Sequence, residues 1–358
     1  MATFRLSGVR LPWENLTPLS DKFQHILSLF PQDLSFAFAY GSGAFQQHGH
    51  KPTEYPLIFE VTMVILFKAN VVDVILVVEN AEAFHEANLK HNWKHYSSIR
   101  YLGSKALTSF QENWGARVYF NTLVPYRYGL FKYGVISSSA MIADLLDWEW
   151  LYVSGRLHKP TLPLIVPESH QLRAALQHNL QSALHVALLL LPEVFQEEVF
   201  YQTIAGLSYT GDFRMTFGED KNKVKNIVAP QLDKFRELYA PFYFSFSSWA
   251  DLGGKSARWE QDTSPSARLF HLNLLPKKIQ QTFVHEWNRD GRWQDVEDVF
   301  RAAAHDTECH ELVNEAVQRT VRVSSWTQSL KNIPTAGIVK SLRYSLAKVL
   351  KMWKSLKK

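Results

Sequence analysis

The apolar run Phe36-Ala37-Phe38-Ala39-Tyr40 stops abruptly at Gly41-Ser42-Gly43, and this stop constrains the fold more than any other stretch of the chain. The run reads as a buried strand, and the small residues after it let backbone N–H groups and a hydroxyl approach a phosphate. Downstream, residues 71–78 (VVDVILVV) read as a second buried strand carrying one carboxylate, Asp73. A charge in that setting is costly unless something pairs with it. The two strands together offer a phosphate cradle and a metal ligand. An ordinary β-turn and a backbone-satisfied Asp produce the same letters, and so short a motif does not separate the readings.

At 358 residues the chain has room for two domains and a tail. Helical spacing marks residues 23–30, 81–94 and 138–148, the last with a Ser cap, and strands are expected at 117–124 and 130–136. Residues 57–78 are apolar, but Glu60, Lys68, Asn70 and Asp73 interrupt them, which favours two strands over a membrane-spanning helix. From about residue 168 the pattern turns helical, over 170–191, 193–205, 220–239, 296–305 and 308–321. The aromatic run 242–249 is a strand candidate, and the Pro-bearing stretch 159–167 reads as a linker. The expectation is an α+β chain with domains at 1–160 and 161–325 and a tail at 326–358.

Charge is distributed unevenly. Ten cations and no acid lie beyond Glu315, so residues 1–315 carry −5 against a whole-chain +5. This argues against a nucleic-acid groove spread over the body, and no nucleic-acid partner is expected. In residues 338–358, Val339, Leu342, Leu346, Val349, Leu350, Trp353 and Leu356 share one helical face. Seven cations, Lys348 and Lys351 among them, flank that face, and the helix would be about 31 Å long. This suits an anionic bilayer surface with Trp353 at the interface; the alternative is a helix docked on its own domain. One cysteine, Cys309, rules out an internal disulfide and fits a reducing compartment. Residues 1–13 are basic and lack acids, compatible with a matrix-targeting segment.

Nucleotidyltransferases of the polymerase-β type place Gly-Ser at the end of one strand and two carboxylates, two residues apart, on the next, where they hold Mg²⁺. Here position 75 is Ile, so Asp73 stands without the second acid. A further cluster, Ala205 to Met215 (AGLSYTGDFRM), is followed by Gly218-Glu219-Asp220-Lys221. Arg214 is suited to gripping a phosphate and Asp212 to completing a metal site; equally, the two side chains pair with each other in a connecting loop. Lys132, a cation in an apolar strand, calls for an anion. Arg156 and Lys159 read either as solvated linker charges or as contacts for a lipid phosphate. His91 and His95 lie at i, i+4, without the carboxylates that would make a zinc site. No Gly-x-Ser-x-Gly elbow, dinucleotide fingerprint or Walker A sequence is present.

Tyr-Gly-Ser-Gly at 40–43, Asn-Trp at 92–93 with His-Tyr-Ser at 95–97, Lys-Tyr-Gly-Val-Ile-Ser at 132–137, Gly-Arg-Leu-His-Lys-Pro at 155–160, the 206–215 segment and 218–221 occur in that order. This series is similar to that of the mitochondrial phosphatidate cytidylyltransferases, over about residues 20–325. The resemblance implies a polymerase-β-like nucleotidyltransferase domain, then a mostly helical winged-helix-like domain and a C-terminal amphipathic helix. It implies Mg²⁺ dependence, CTP and phosphatidate as substrates, CDP-diacylglycerol and pyrophosphate as products, and a role in cardiolipin synthesis. It also implies peripheral attachment to the matrix side of the mitochondrial inner membrane; a homodimer is compatible with it. Carried over by motif, Gly41 and Ser42 would cradle the CTP phosphates, with Tyr40 and Gly43 also in the nucleotide site, and Asp73 would bind Mg²⁺. Lys132 would face the nucleotide, while Asp212 and Arg214 would close the site from the second domain. The connection from Gly43 to Asp73 is longer here than in that family and includes the apolar residues 51–68. Two rivals stay open: transfer to RNA or a soluble acceptor, and a non-enzymatic membrane-associated assembly factor.

Overall fold

The computed structural model describes residues 13, 18–31, 34–45, 71–217, 222–254, 256–291 and 293–336. The segment 51–68, the motif 218–221 and the tail 338–358, with Lys348, Lys351 and Trp353, lie outside the described residues. Five strands form one mixed sheet: β1 (Leu34–Tyr40), β2 (Val72–Val78), β3 (Tyr119–Tyr126), β4 (Gly129–Ser137) and β5 (Leu162–Ile165), in the order β3-β4-β2-β1-β5. β2 and β4 run parallel, and the other neighbours are antiparallel.

Side chains alternate across this sheet with period two, and the alternation decides what each face packs against. Ala37, Ala39, Val74, Leu76 and Val135 face α1 (Asp21–Ser28) and α2 (Ala81–Asn92) through Phe23, Ile26 and Phe84. Phe36, Phe38, Ile75, Val77 and Ile136 face the other way, into a core shared with the helical half of the chain. α3 (Gly103–Asn113) leads into β3. Behind β4, α4 (Ser138–Asp147) begins on a Ser137 cap, and the short α5 (Ser154–Leu157) follows.

The helical half contains α6 (His170–Leu190), α7 (Glu197–Gly206), α8 (Arg214–Phe217), α9 (Lys223–Val228) and α10 (Leu232–Phe246). It continues through α11 (Pro265–Asn273), α12 (Lys277–Trp287), α13 (Val296–His305) and α14 (Cys309–Ala336). A three-stranded sheet of β6 (Val194–Gln196), β7 (Ala250–Asp251) and β8 (Arg258–Gln261) accompanies them in the order β6-β8-β7. No helix among the described residues is long and apolar enough to cross a membrane.

The α+β class holds, and three local expectations need correction. The stretch 159–167 is not simply a linker, because β5 lies inside it and pairs with β1. It sits at the sheet edge, where Pro163 is tolerated. The aromatic run 242–249 is mostly the end of α10 rather than a strand. Its rings Phe242 and Phe246 are buried at helical spacing, and that packing overrides β propensity. The helix expected over 220–239 is interrupted by the 3₁₀ turn Ala229–Gln231, where Pro230 removes a backbone donor. Residues 326–336 also continue α14 onto the sheet half. Gln328 bonds Ala116 N and Val118 O at 2.9 and 3.1 Å, and the buried Lys331 Nζ donates to Gln111 O and Trp114 O at 2.8 and 2.7 Å. One of the cations counted with the tail is therefore a core residue.

Candidate active site

Strand register assembles the first wall of the site. Tyr40 on β1 lies opposite Asp73 on β2, and Asp73 lies beside Lys132 on β4. By parity all three side chains leave the sheet on the face that meets the helical half. Asp73 Oδ1 is 3.6 Å from Lys132 Nζ, with side chains 31% and 16% exposed, and Lys132 Nζ also sits 4.2 Å from the Phe120 ring centre. The pair is loose and open to the cavity.

At the end of β1 the chain turns through the 3₁₀ segment Gly41–Gly43. Gly41 has φ +72°, a conformation that favours glycine. A Cβ on Gly43 would lie 2.8 Å from Val72 Cα and 2.9 Å from Val71 O, so glycine there lets the turn rest on the start of β2. Both glycines of the motif thus have a backbone reason, and Ser42 is carried to the cavity wall.

The second wall is organised by a buried carboxylate. Asp144, on α4, accepts hydrogen bonds from Trp150 N, Tyr152 N, Val153 N, Ser154 N and Ser154 Oγ at 2.8–3.2 Å. These bonds fold residues 150–154 into a turn and start α5, so that Tyr152 from the turn and Arg156 from the helix face the cavity. The Arg156 guanidinium lies 3.9 Å from the Tyr152 ring centre and 5.2 Å from that of Tyr40, and it donates to Tyr152 O. Gly155 admits the next contact: a Cβ there would stand 2.4 Å from Ser208 Cβ. Lys159 Nζ then bridges Gly155 O and Ser208 Oγ, the latter at 2.8 Å.

From the helical half, Gly211 (φ +80°) packs where a Cβ would meet Gln318 O at 2.4 Å, which seats the Asp212 turn against α14. Arg214 Nε donates to Asp212 Oδ1 and Oδ2 at 2.9 and 3.0 Å, and its Nη2 to Oδ2 at 2.5 Å. The Asp212 side chain is 3% exposed, that of Arg214 33%. Of the two readings of this motif, the geometry has the paired one, with Arg214 still reaching the cavity.

These groups line one cavity of about 210 Å³ between the sheet and the helices. Among the described residues, five cations, Lys132, Arg156, Lys159, Arg214 and Lys223, face it against two carboxylates, Asp73 and Asp212. A groove of about 1210 Å³ between α7, α12 and α14 is larger, but its buried Glu286 is paired with Arg319 and Arg289. The smaller cavity is the one that needs an anion.

The titration of its own side chains reports the same potential. Burial alone would raise the Tyr152 phenol, yet Arg156, Arg214 and Lys132 outweigh it and the pKa is lowered. Tyr40 moves the opposite way, raised by burial and by Asp73. Lys159 is held down to about 7 by burial and by the neighbouring Arg156 and Lys223. Burial works against the charge of Arg214 as well, but its bonds to Asp212 keep it firmly protonated.

Tyr40, Gly41, Ser42, Asp73, Lys132, Asp212 and Arg214 therefore converge, and Arg156 and Lys159 join them as cavity-wall cations rather than solvated linker charges. Gly43 supports the turn from behind. Asp144, Tyr152, Lys223 and Gln231 were not singled out from sequence, whereas Ser208 lies in the cluster at 205–215. Asp144 is an acid on a helix whose Met141 and Leu145 are buried, a signal of a charge with a structural partner. Lys223 carries no comparable local mark.

The profile of the family described as "Phosphatidate cytidylyltransferase, mitochondrial" matches residues 23–351. Proteins of that name from Danio rerio and Bos taurus are each 44% identical to this chain over 332 residues, 93% of this chain and 94% of theirs. The Xenopus laevis protein of that name is 42% identical over 337 residues, 94% of this chain and 96% of its own.

Proposed function

The chain belongs to the mitochondrial phosphatidate cytidylyltransferase family, and from that membership we propose that it converts CTP and phosphatidate to CDP-diacylglycerol and pyrophosphate. The reading extends to a peripheral protein on the matrix side of the mitochondrial inner membrane, supplying cardiolipin synthesis. One observation carries it: the register that sets Tyr40, Asp73 and Lys132 side by side at the Gly41–Gly43 turn, opposite Arg156 and Arg214, over a single cavity.

A phosphate oxygen of phosphatidate attacks the α-phosphorus of CTP. The bond from that phosphorus to the α–β bridging oxygen breaks, and pyrophosphate leaves with the electron pair. The nucleophile is already ionised near neutral pH, so no general base is required. The chain's own work is to align the two phosphates and offset charge on the leaving group. Ser42 and the backbone of its turn hold the triphosphate, while Lys132, Arg156 and Arg214 balance its charge. Tyr40 and Tyr152 flank Arg156 and keep its guanidinium in place.

The donor set fits Mg²⁺ of the kind that arrives with a nucleotide. Asp73 is one partly exposed carboxylate, whereas both oxygens of Asp212 are engaged by Arg214. Mg²⁺ is commonly bound by one or two carboxylates together with substrate phosphates and water. Asp73 would hold it, and when bound it supplies charge neutralisation at the phosphates. The cation-only segment 338–358 and its apolar face support the membrane part of the reading.

The test is incubation of the full chain with labelled CTP, phosphatidate vesicles and Mg²⁺, with ATP, GTP and UTP in parallel. A cytidine-labelled lipid formed with CTP is the expected product. Transfer to a soluble acceptor only, or no lipid product, overturns the reading.

A further inference from the structure

Helix α14 presents two different faces beside the cavity. Val321, Ser324 and Ser325 line the cavity, while Gln328 and Lys331 are buried against the sheet half. On the outer side, Val323, Trp326, Leu330 and Ile333 are 60%, 49%, 60% and 46% exposed. Their spacing of three, four and three residues makes one stripe about 15 Å long. Large side chains concentrated this way differ from apolar residues scattered singly over a surface.

We propose that this stripe is a bilayer-contact surface, seating the folded body on an anionic phospholipid membrane with the cavity mouth beside it. Three observations choose that occupant. First, no acid occurs on α14 after Glu315, and the exposed Arg322 adjoins Val323, so the face complements anionic headgroups. Second, Trp326 is half exposed and stacks on Phe213 with ring centres 4.2 Å apart. Phe213 lies between Asp212 and Arg214, so the ring that would sit at the interface rests on the turn that holds a cavity cation. Third, Ser97 Oγ donates to Pro334 O at 2.7 Å, which brings the segment ending in Tyr101 and Leu102, 70% and 71% exposed, toward the same end of the helix. The inference rests on the lipid substrate proposed above: a phosphate held in the cavity leaves its acyl chains in need of an apolar surface next to it. It adds to the tail a contact made by the packed body.

The test uses the full chain with Val323→Gln and Leu330→Gln together, changes at exposed positions that leave the core and cavity intact. Flotation with phosphatidylcholine vesicles containing phosphatidylglycerol is compared with turnover on long-chain phosphatidate in vesicles and on a short-chain, dispersed phosphatidate. The expected result is about tenfold weaker vesicle binding and about tenfold lower vesicle turnover, with Tm and short-chain turnover unchanged. Unchanged vesicle binding overturns the proposal, whether residues 337–358 alone supply the membrane contact or cover the stripe. An equal loss on both substrates, or a wild-type dimer that the variant disperses, overturns it too. If the wild type converts neither substrate, the proposed activity fails, while the flotation arm still decides the surface.

Discussion

Asp73 and Asp212 face one cavity, each beside a cation, and the two pairs are built in different ways. Asp73 meets Lys132 across two strands at 3.6 Å, with neither side chain fully buried. Asp212 meets Arg214 two residues away through a fork of short bonds, with the Asp212 carboxylate almost wholly out of solvent. The first pair is held by backbone register and leaves the Asp73 carboxylate partly open to the cavity. The second is satisfied by itself, and its effect is to aim Arg214. Similar charges therefore divide into a cavity-facing acid and a positioning acid, according to whether the sheet or a local turn supplies the partner.

The sharpest way to break this contrast is Asp73→Asn. Turnover with Mg²⁺ is expected to fall by about 10²–10³-fold with little change in unfolding midpoint, because the carboxylate is partly exposed. Near-wild-type CDP-diacylglycerol formation would remove Asp73 from a ligand-binding role. Asp212→Asn should show the reverse balance. Arg214 loses a charged partner, and the stability cost is about 1–3 kcal/mol, read by urea unfolding, with a rise in KM for CTP as Arg214 loosens. A stable but inactive Asp212→Asn protein would place both acids in one class.

Gly155→Ala probes the seam between the walls. The new Cβ overlaps Ser208, and relief by displacement should cost about 1–3 kcal/mol and weaken CTP binding more than it lowers the melting temperature of the sheet half. Hydrogen exchange with and without CTP separates those effects. Unaltered CTP affinity would show that the seam does not set the cavity.

The smallest effect is in pH. Lys159 and Lys331 are both held near 7, the first in the cavity and the second in the core. An anion bound beside Lys159 favours its protonated form, so above about pH 7 binding takes up a proton and affinity falls as pH rises, by at most about tenfold per unit. Calorimetry at pH 8 in buffers of different ionisation enthalpy should detect that proton, and Lys159→Met should lose it. Lys331 touches no ligand, and its depressed pKa acts on folding. The unfolded chain binds the extra proton between about 7 and the ordinary lysine range, so stability rises with pH across that window. Lys331→Met should flatten the rise and leave proton uptake on CTP binding intact.

Much of this was legible in short segments. The strand stop at Gly41 and the Ser cap of the helix over 138–147 depend on neighbours a few residues away, and the structure has both; for Asp212 and Arg214 the same local letters left two readings open. The departures arose where distant packing decided. The Pro-bearing stretch 159–167 read as a linker because only pairing with β1 gives it an edge strand, and residues 242–246 carried strand-forming aromatics on a helix already running from Leu232. Asp144 was passed over because its partners are backbone N–H groups that exist only once residues 150–154 have turned back onto α4.

By itself the amino-acid order determined the faces. Period two within each strand puts Tyr40 on the side of Phe36 and Phe38 and Asp73 on the side of Ile75 and Val77, and the β1–β2 register then makes those one face. Tertiary structure alone decided the company they keep. The parallel register of β2 with β4 brings Lys132 beside Asp73 across 59 residues of chain, and Gly155 and Gly211 permit the close approaches that bring Arg156 and Arg214 to the same cavity. Side-chain direction follows from local sterics, whereas convergence depends on which distant backbones can touch.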